Sequence, residues 1–182
     1  MSADRSAPLQ WGLPPVLDAA TRILILGSFP GAASLAAHQY YAHPRNHFWP
    51  LLGVLLDAPL ADLAYPRRLA ALRQNRIGLW DSIVRCARPG SADAAIRCAE
   101  LAEIALARRR APRLELVCFN GQTAARVAPL WGDAGYATRV LPSSSAAYTL
   151  PLADKLAAWR AAFGAGLRNH RRARPKATAP AR

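Results

Sequence analysis

Four short apolar runs, each cut off by a polar turn, set the limits on how this chain can fold. They are "ILIL" ending in "GSFPG", "IGLW" ending in "DS", "LELVCF" ending in "NG", and "ATRVL" ending in "PSSS". The first three are nearly unbroken apolar sequence with no in-and-out alternation, as strands buried on both faces require. Stretches of helical period lie between the runs. Strands alternating with helices predict a parallel sheet covered on both faces. The expected class is therefore α/β, a three-layer α/β/α sandwich around a four-stranded parallel sheet. Ligands of such sheets sit beyond the carboxyl ends of the strands, so the four turns should meet in one cleft.

The pattern predicts strands at 22–26, at 77–80 with Asp81 at the carboxyl end, at 114–121, and in "ATRVL" ahead of a Ser-rich loop. A helix should start near Asn46 and carry Phe48, Trp49, Leu51, Leu52 and Leu55 inward. Further helices are expected over about 60–74, over "SADAAIRCAELAEIALARRR" with Ser91 as N-cap, over 122–130 and over "LADKLAAWRAAF". Trp49, Trp80, Trp131 and Trp159 are assigned to the core.

Charge narrows the partner. The net charge is +13, a field that favours polyanions and speeds encounter with nucleic acid. Six of the basic residues fall in "LRNHRRARPKATAPAR", residues 167–182, leaving +7 on the rest. That segment has no acid, no apolar period and two prolines, so it is expected to be a disordered basic tail behind a domain spanning 1–166. Cys86, Cys98 and Cys118 are odd in number and form no C-x-x-C pair, which excludes a disulfide framework and suits a reducing compartment. No apolar run reaches membrane-spanning length. The N-terminal segment has no h-region, so no signal peptide is expected.

Several chemistries fail on spacing. "GSFPG" lacks the G-K-[ST] ending of a phosphate-binding loop and is not G-x-G-x-x-G. No G-x-S-x-G elbow is present. His38, His43 and His47 share one loop without a carboxylate beside them, so no metal site is expected. One segment resists a packing explanation: "QYYAHPRNHFW", residues 39–49, crowds aromatic, basic and amide side chains with no apolar period through its first half.

Taken in order, "LILGSFPG", "QYYAHPRNHFW", "IGLWDSIVRCARPGSADAAI", "VCFNGQTA" and "LPSSSAAY" resemble the uracil-DNA glycosylase superfamily. The branch they look most like is that of the hypoxanthine-DNA (DNA-deoxyinosine) glycosylases, with mismatch-specific uracil/thymine glycosylases as near cousins. The resemblance runs from about 22 to 163. It implies a monofunctional base-excision-repair enzyme that hydrolyses the N-glycosidic bond of a deaminated base. Hypoxanthine is the first expectation, uracil and xanthine the second. Such an enzyme takes the base out of the stack into a pocket, passes through an oxocarbenium-like sugar and must place a water at the sugar carbon. The resemblance implies no cofactor and no metal. It implies double- or single-stranded DNA containing deaminated bases as partner, no membrane, a monomer, and a bacterial, nucleoid-associated cytoplasmic setting.

The resemblance also suggests roles. Asn46 is the expected catalytic residue, as a water-orienting or base-binding amide, and it also suits a helix N-cap. Phe29 stands where many members carry the Asp or Asn that positions the water. Tyr41 aligns with the aromatic that stacks on the flipped base. Asp81 stands where uracil-specific relatives read the base edge, and a carboxylate can accept from N1–H of hypoxanthine or N3–H of uracil. Backbone N–H groups of Gly27, Ser28 and Phe29 are expected to hold a base carbonyl or a phosphate, with Asn120 in the pocket or its turn. Ser143, Ser144 and Ser145 are expected to donate to DNA phosphates, although Leu141 replaces the His or Asn common before that loop. His43 and Arg45 are expected to face DNA. The lysines, Lys155 and Lys176, lie in the last helix and the tail, so no Schiff-base lyase is expected. Two rival readings are a nonenzymatic basic DNA-binding module and a small-molecule hydrolase using Ser28 and His43.

Overall fold

The structure, a computed structural model, describes residues 8–90 and 92–171, with side chains through residue 163. The chain runs β1 (Leu9–Trp11), β2 (Ile23–Gly27), α1 (Ala32–Ala37), α2 (Phe48–Leu56), α3 (Tyr65–Gln74), β3 (Ile77–Asp81) and β4 (Ile83–Ala87). It continues through β5 (Arg97–Leu101), α4 (Ile104–Arg110), β6 (Leu116–Asn120), α5 (Gln122–Ala125), α6 (Ala128–Asp133), β7 (Ala137–Leu141) and α7 (Leu152–Arg171).

The four expected strands form one sheet in the order β3-β2-β6-β7, all parallel. Its two faces feed two separate cores, which is why the central runs carry no alternation. Ile23 and Ile25 of β2, with Ile77 and Leu79 of β3, pack against Phe48, Trp49, Leu51 and Leu52 of α2, Leu72 of α3, and Trp159 and Phe163 of α7. Leu24 and Leu26, with Trp80, Val117 and Phe119, pack against Ala107 of α4, Ala124 of α5 and Trp131 of α6. Each of the large aliphatic and Phe side chains among them contributes roughly 1.5–3 kcal/mol by leaving water. Trp49, Trp80, Trp131 and Trp159 are all buried, as expected.

One expected helix is overturned in its first half. Residues 97–101 form β5, antiparallel to β4 in a second, three-stranded sheet of order β1-β4-β5. Helix begins only at Ile104. The Ala, Glu and Arg content favours helix locally, but pairing with β4 overrides that weak preference. A bulged register, Cys98 at φ 51 and an Arg85–Glu100 ion pair at 2.8 Å belong to this strand. The expected Ser91 cap lies outside the described residues. The expected helix at 122–130 divides into α5 and α6. The last helix runs through Leu167 to Arg171, so the first part of the expected tail is helical; residues 172–182 lie outside the described residues. No helix is long and apolar enough to cross a membrane among the described residues.

Register sets up the site. Gly27 pairs with Asp81 across β2 and β3, and Asn120 pairs with Leu141 across β6 and β7. The four strands therefore end along one edge. Ser82 carries the chain from β3 into β4 and ties the first turn down: the Ser82 N–H donates to Gly27 O at 2.8 Å and the Ile83 N–H to Ser28 O at 3.0 Å.

Candidate active site

Beyond that edge lies a cavity of about 770 Å³, within the range of roughly 300–1,000 Å³ typical of small-ligand sites. Gly27, Ser28, Phe29, Tyr41, His43, Arg45, Asn46, Asp81, Asn120, Ser143, Ser144 and Ser145 all line it. Every residue singled out from the sequence is thus brought to one place. A second depression of about 630 Å³ lies against α2 and the 57–61 turn and contains none of them.

Asp81 is on the cavity wall and only 4% exposed. Its Oδ2 is buried with no hydrogen-bond partner. Burial first, then the nearby charge of Asp93, push its carboxyl up to about 8, against the opposing pull of Arg88. At neutral pH the group is therefore mostly a neutral acid, with one donor and one acceptor. Gly27 makes this placement sterically feasible: a Cβ there would lie 2.4 Å from Asp81 Oδ1 and 3.2 Å from the Tyr41 hydroxyl.

Tyr41 holds a left-handed backbone, φ 54, a conformation sparsely populated by large side chains. Its ring stacks on Phe48 with centroids 3.7 Å apart and planes 10° from parallel. Its hydroxyl is buried without a hydrogen-bond partner, although the Asn120 amide is near enough to favour ionisation weakly. Burial, followed by the charge of Asp81, outweighs that and raises the phenol. The preceding Tyr40 is structural. Its N–H donates to the Tyr65 hydroxyl at 3.1 Å, and its carbonyl accepts from Trp49 Nε1 at 3.1 Å.

Asn46 combines two capacities. Its Oδ1 accepts from the Phe48 N–H at 2.9 Å at the start of α2. This fixes the amide and leaves Nδ2 as the donor available to the cavity it lines. His43 Nδ1 accepts from the Arg45 N–H at 3.2 Å, and both residues are exposed at the rim.

The Ser-rich loop is clamped from three elements. Asn120 Nδ2 donates to Ser144 Oγ at 2.8 Å, and the Ser144 N–H returns to Asn120 Oδ1 at 2.8 Å. The His47 N–H donates to Ser144 O at 2.9 Å. From α7, Trp159 Nε1 donates to Pro142 O, and the fully buried Lys155 donates to Ser145 O and Tyr148 O. Gly121, at φ 99, lets the loop approach β6, since a Cβ there would meet Ser143 Cβ at 3.0 Å.

One placement differs from expectation, and the others show how their side chains are committed. Ser144 has no exposed surface and organises the loop, which leaves Ser143 and Ser145 as its more accessible hydroxyls on the cavity. Those two hydroxyl oxygens accept from the Ser145 and Ala147 N–H groups, leaving their hydrogens free to donate. The Asn120 amide is spent on Ser144 at both ends. The Phe29 side chain packs with Ile83 and Cys86 in a small core under the second sheet. Lys155 is occupied by two carbonyls and does not line the cavity. Ser28 donates to Asp93 Oδ2 at 2.7 Å and has no histidine partner among the described residues, which removes the Ser–His pairing a hydrolase needs.

Asp93 is the cavity-lining residue that sequence reasoning missed. It sits in a 3-10 turn, Asp93–Ala95, between β4 and β5. Arg88 lies behind it, with Nη1 3.9 Å from Asp93 Oδ1 and the guanidinium 4.8 Å over the Phe29 ring. The misassigned helix hid Asp93; the polar, Gly-containing run "RPGSAD" was the signal available for a loop there.

A parallel sheet whose strand ends gather an aromatic platform, a buried carboxyl, a fixed amide and a basic rim defines an α/β enzyme acting on a flat, polar ring attached to a polyanion. Residues 14–163 match the model of the uracil DNA glycosylase superfamily, and the chain belongs to that family. Among its relatives are the hypoxanthine DNA glycosylases of Methanosarcina barkeri and Methanosarcina acetivorans. Each is 43% identical over 152 residues, covering 84% of this chain and 96% of the relative. A solution NMR structure from Methanosarcina acetivorans, of a candidate uracil DNA glycosylase, superposes with a TM-score of 0.78 at 42% identity. It covers 86% of this chain and 97% of that one.

Proposed function

We propose that this chain is a monofunctional DNA glycosylase that releases deaminated bases, hypoxanthine from deoxyinosine foremost, with uracil and xanthine as secondary substrates. The observation that carries the reading is the buried Asp81 carboxyl, its Oδ2 unpartnered, on the wall of a cavity beside the Tyr41 ring, where burial favours its neutral form. Hypoxanthine presents C6=O beside N1–H, and a neutral carboxyl offers the matching donor and acceptor. A carboxylate would repel O6. The substrate names of the two archaeal relatives support the same base.

In this reading the flipped base lies on the Tyr41 ring, whose other face is backed by Phe48. Asp81 pairs with its edge. Asn46 Nδ2, fixed through the Phe48 N–H, points a donor at charge developing on the base as the C1′–N bond breaks. Ser28 and Phe29 backbone N–H groups donate to nothing among the described residues and suit a base carbonyl or the 5′ phosphate. Ser143, Ser145, His43 and Arg45 hold the DNA backbone on either side. The enzyme works as a monomer on double- or single-stranded DNA, in the cytoplasm on nucleoid DNA, and needs no metal.

The test is base release from labelled duplexes carrying one inosine, uracil, xanthine or thymine mismatch, each product then treated with alkali. The expected result is strand cleavage only after alkali, strongest with inosine. Stronger cleavage with uracil would reassign the substrate. Tight DNA binding without release of any base would leave a nonenzymatic binding module.

A further inference from the structure

Glycosidic hydrolysis needs a group that holds the attacking water at the sugar carbon, and a carboxylate in that place also speeds the step by taking the water's proton. Two carboxyl groups line the cavity, Asp81 and Asp93, and they sit in unlike surroundings. Asp81 is walled in between Gly27 and Tyr41 and stays mostly protonated at neutral pH. It is suited to pairing with a base and unsuited to accepting a proton. The Asn46 amide oxygen is engaged by the Phe48 N–H, and an amide takes up no proton. The Phe29 side chain is withdrawn into a core. Asp93 alone combines a carboxylate, a place on the cavity wall and a partly exposed side chain.

Its position is built. Ser28 Oγ donates to Oδ2 at 2.7 Å, from the turn at the end of β2. Arg88, 2% exposed, stands 3.9 Å behind Oδ1 and anchors the same turn by donating to Pro30 O. Arg88 Nε and Nη1 have no hydrogen-bond partner. A buried cation with spare donors behind the carboxylate holds it in the cavity wall.

We propose that Asp93 is the catalytic residue that orients the attacking water and takes its proton, supplied to the site by the connection between β4 and β5. This rests on the glycosylase reading above. The water oxygen bonds to C1′ as the C1′–N bond breaks and its electron pair leaves with the base. The water proton passes to Asp93 and then to solvent, while the departing base regains a proton from solvent. Deoxyribose with a hydroxyl at C1′ and free base are the products, so atoms and charge balance.

The experiment is single-turnover release of hypoxanthine with full-length enzyme in excess, alongside binding of the same inosine duplex. In Asp93→Asn the amide oxygen can still accept from Ser28 but cannot take a proton. Its release rate is expected to fall by about 100-fold or more, in line with loss of a general base, with binding little changed. In Asp93→Ala, added formate is expected to restore the rate about tenfold or more by supplying the missing carboxylate. Asp93→Asn releasing base within about fivefold of wild type would overturn the proposal. So would a loss confined to binding, with formate inert in Asp93→Ala, because a residue that only held the Ser28 turn would behave that way. If wild type itself releases no base from any substrate, the glycosylase reading fails instead.

Discussion

Replacing Asp81 by Asn should make the protein more stable as pH rises from 5 to 7, even as it damages the site. In the unfolded chain the carboxyl titrates near 3.8; in the folded protein burial beside Asp93 pushes it up to about 8. A group whose folded value is raised stabilises fully below the unfolded value and loses that contribution as pH climbs through the folded one. Between pH 5 and 7 the unfolded chain is almost wholly ionised at this position and the native protein almost wholly neutral. Wild-type stability should therefore drop by close to 1.36 kcal/mol per pH unit from this group alone, or about 2–3 kcal/mol over the interval. Asn does not titrate. Every other titrating group is common to both proteins and largely cancels in the difference, as does the constant cost of fitting an amide beside Gly27 Cα. The assay is urea unfolding of both proteins at pH 5, 6 and 7. Its readout is the change with pH of the stability difference. Thermal melts should show the gap in Tm moving by roughly 5–10 °C in favour of Asp81→Asn, at about 2–4 °C per kcal/mol for a chain of this size. A stability difference that stays level from pH 5 to 7 would mean that Asp81 is ionised in the native protein. The donor-plus-acceptor pairing with hypoxanthine would then fall with it.

Three further outcomes follow from the same geometry. Asn46→Ala should lose base release by orders of magnitude while costing only about 1 kcal/mol of stability as a lost hydrogen bond to the Phe48 N–H; single-turnover kinetics and circular dichroism check both halves. Gly27→Ala drives a methyl to 2.4 Å from Asp81 Oδ1, so it should cost about 1–3 kcal/mol and abolish release, read by a melt and the alkali-cleavage assay. Lys155→Met leaves the carbonyls of Ser145 and Tyr148 without their shared donor, at a cost of about 1.5–3 kcal/mol. It should raise KM for the inosine duplex more than it lowers kcat, because it loosens the loop that holds DNA rather than the groups around the base.

The parts of the fold legible in the sequence were those where local pattern and tertiary role agree. Ile23 to Gly27 reads as a buried strand because helices cover both its faces. The clustering of Gly27, Asp81, Asn120 and the Ser loop follows from strand polarity alone. The second sheet was not legible, since β5 is exposed along its whole length and bears no apolar signature. Its strand state is imposed by the edge of β4, and Asp93 disappeared into the misread helix for that reason. Side-chain commitments were equally invisible. "FNG" and "SSS" advertise polar groups, but only three dimensions show that Asn120 and Ser144 spend theirs on each other. Asn46 was read as a candidate N-cap of α2; the N-cap position is His47, and Asn46, one residue earlier, accepts from the Phe48 N–H with one end of its amide while lining the cavity.

Three ionisable side chains around the cavity are buried: Asp81, Arg88 and Lys155. Each carries a desolvation cost that a well-packed apolar residue would avoid. Asp81 Oδ2, Arg88 Nε and Arg88 Nη1 even lack hydrogen-bond partners, whereas such groups are normally satisfied elsewhere in proteins. With the Tyr41 hydroxyl these lie at or behind the cavity, while Arg22 Nε and Arg85 Nε are unsatisfied away from it. On the proposed reading Asp81 pairs with the edge of a base, and Arg88 backs the carboxylate proposed to hold the attacking water. Lys155, the satisfied member, is bonded to Ser145 O and Tyr148 O of the loop proposed to hold DNA. This distribution is that of a site holding strain for function. It predicts that apolar replacement at Asp81 and Lys155 separates stability from activity in opposite directions: the first gains stability near neutral pH and loses base recognition, the second loses stability and gives up DNA affinity.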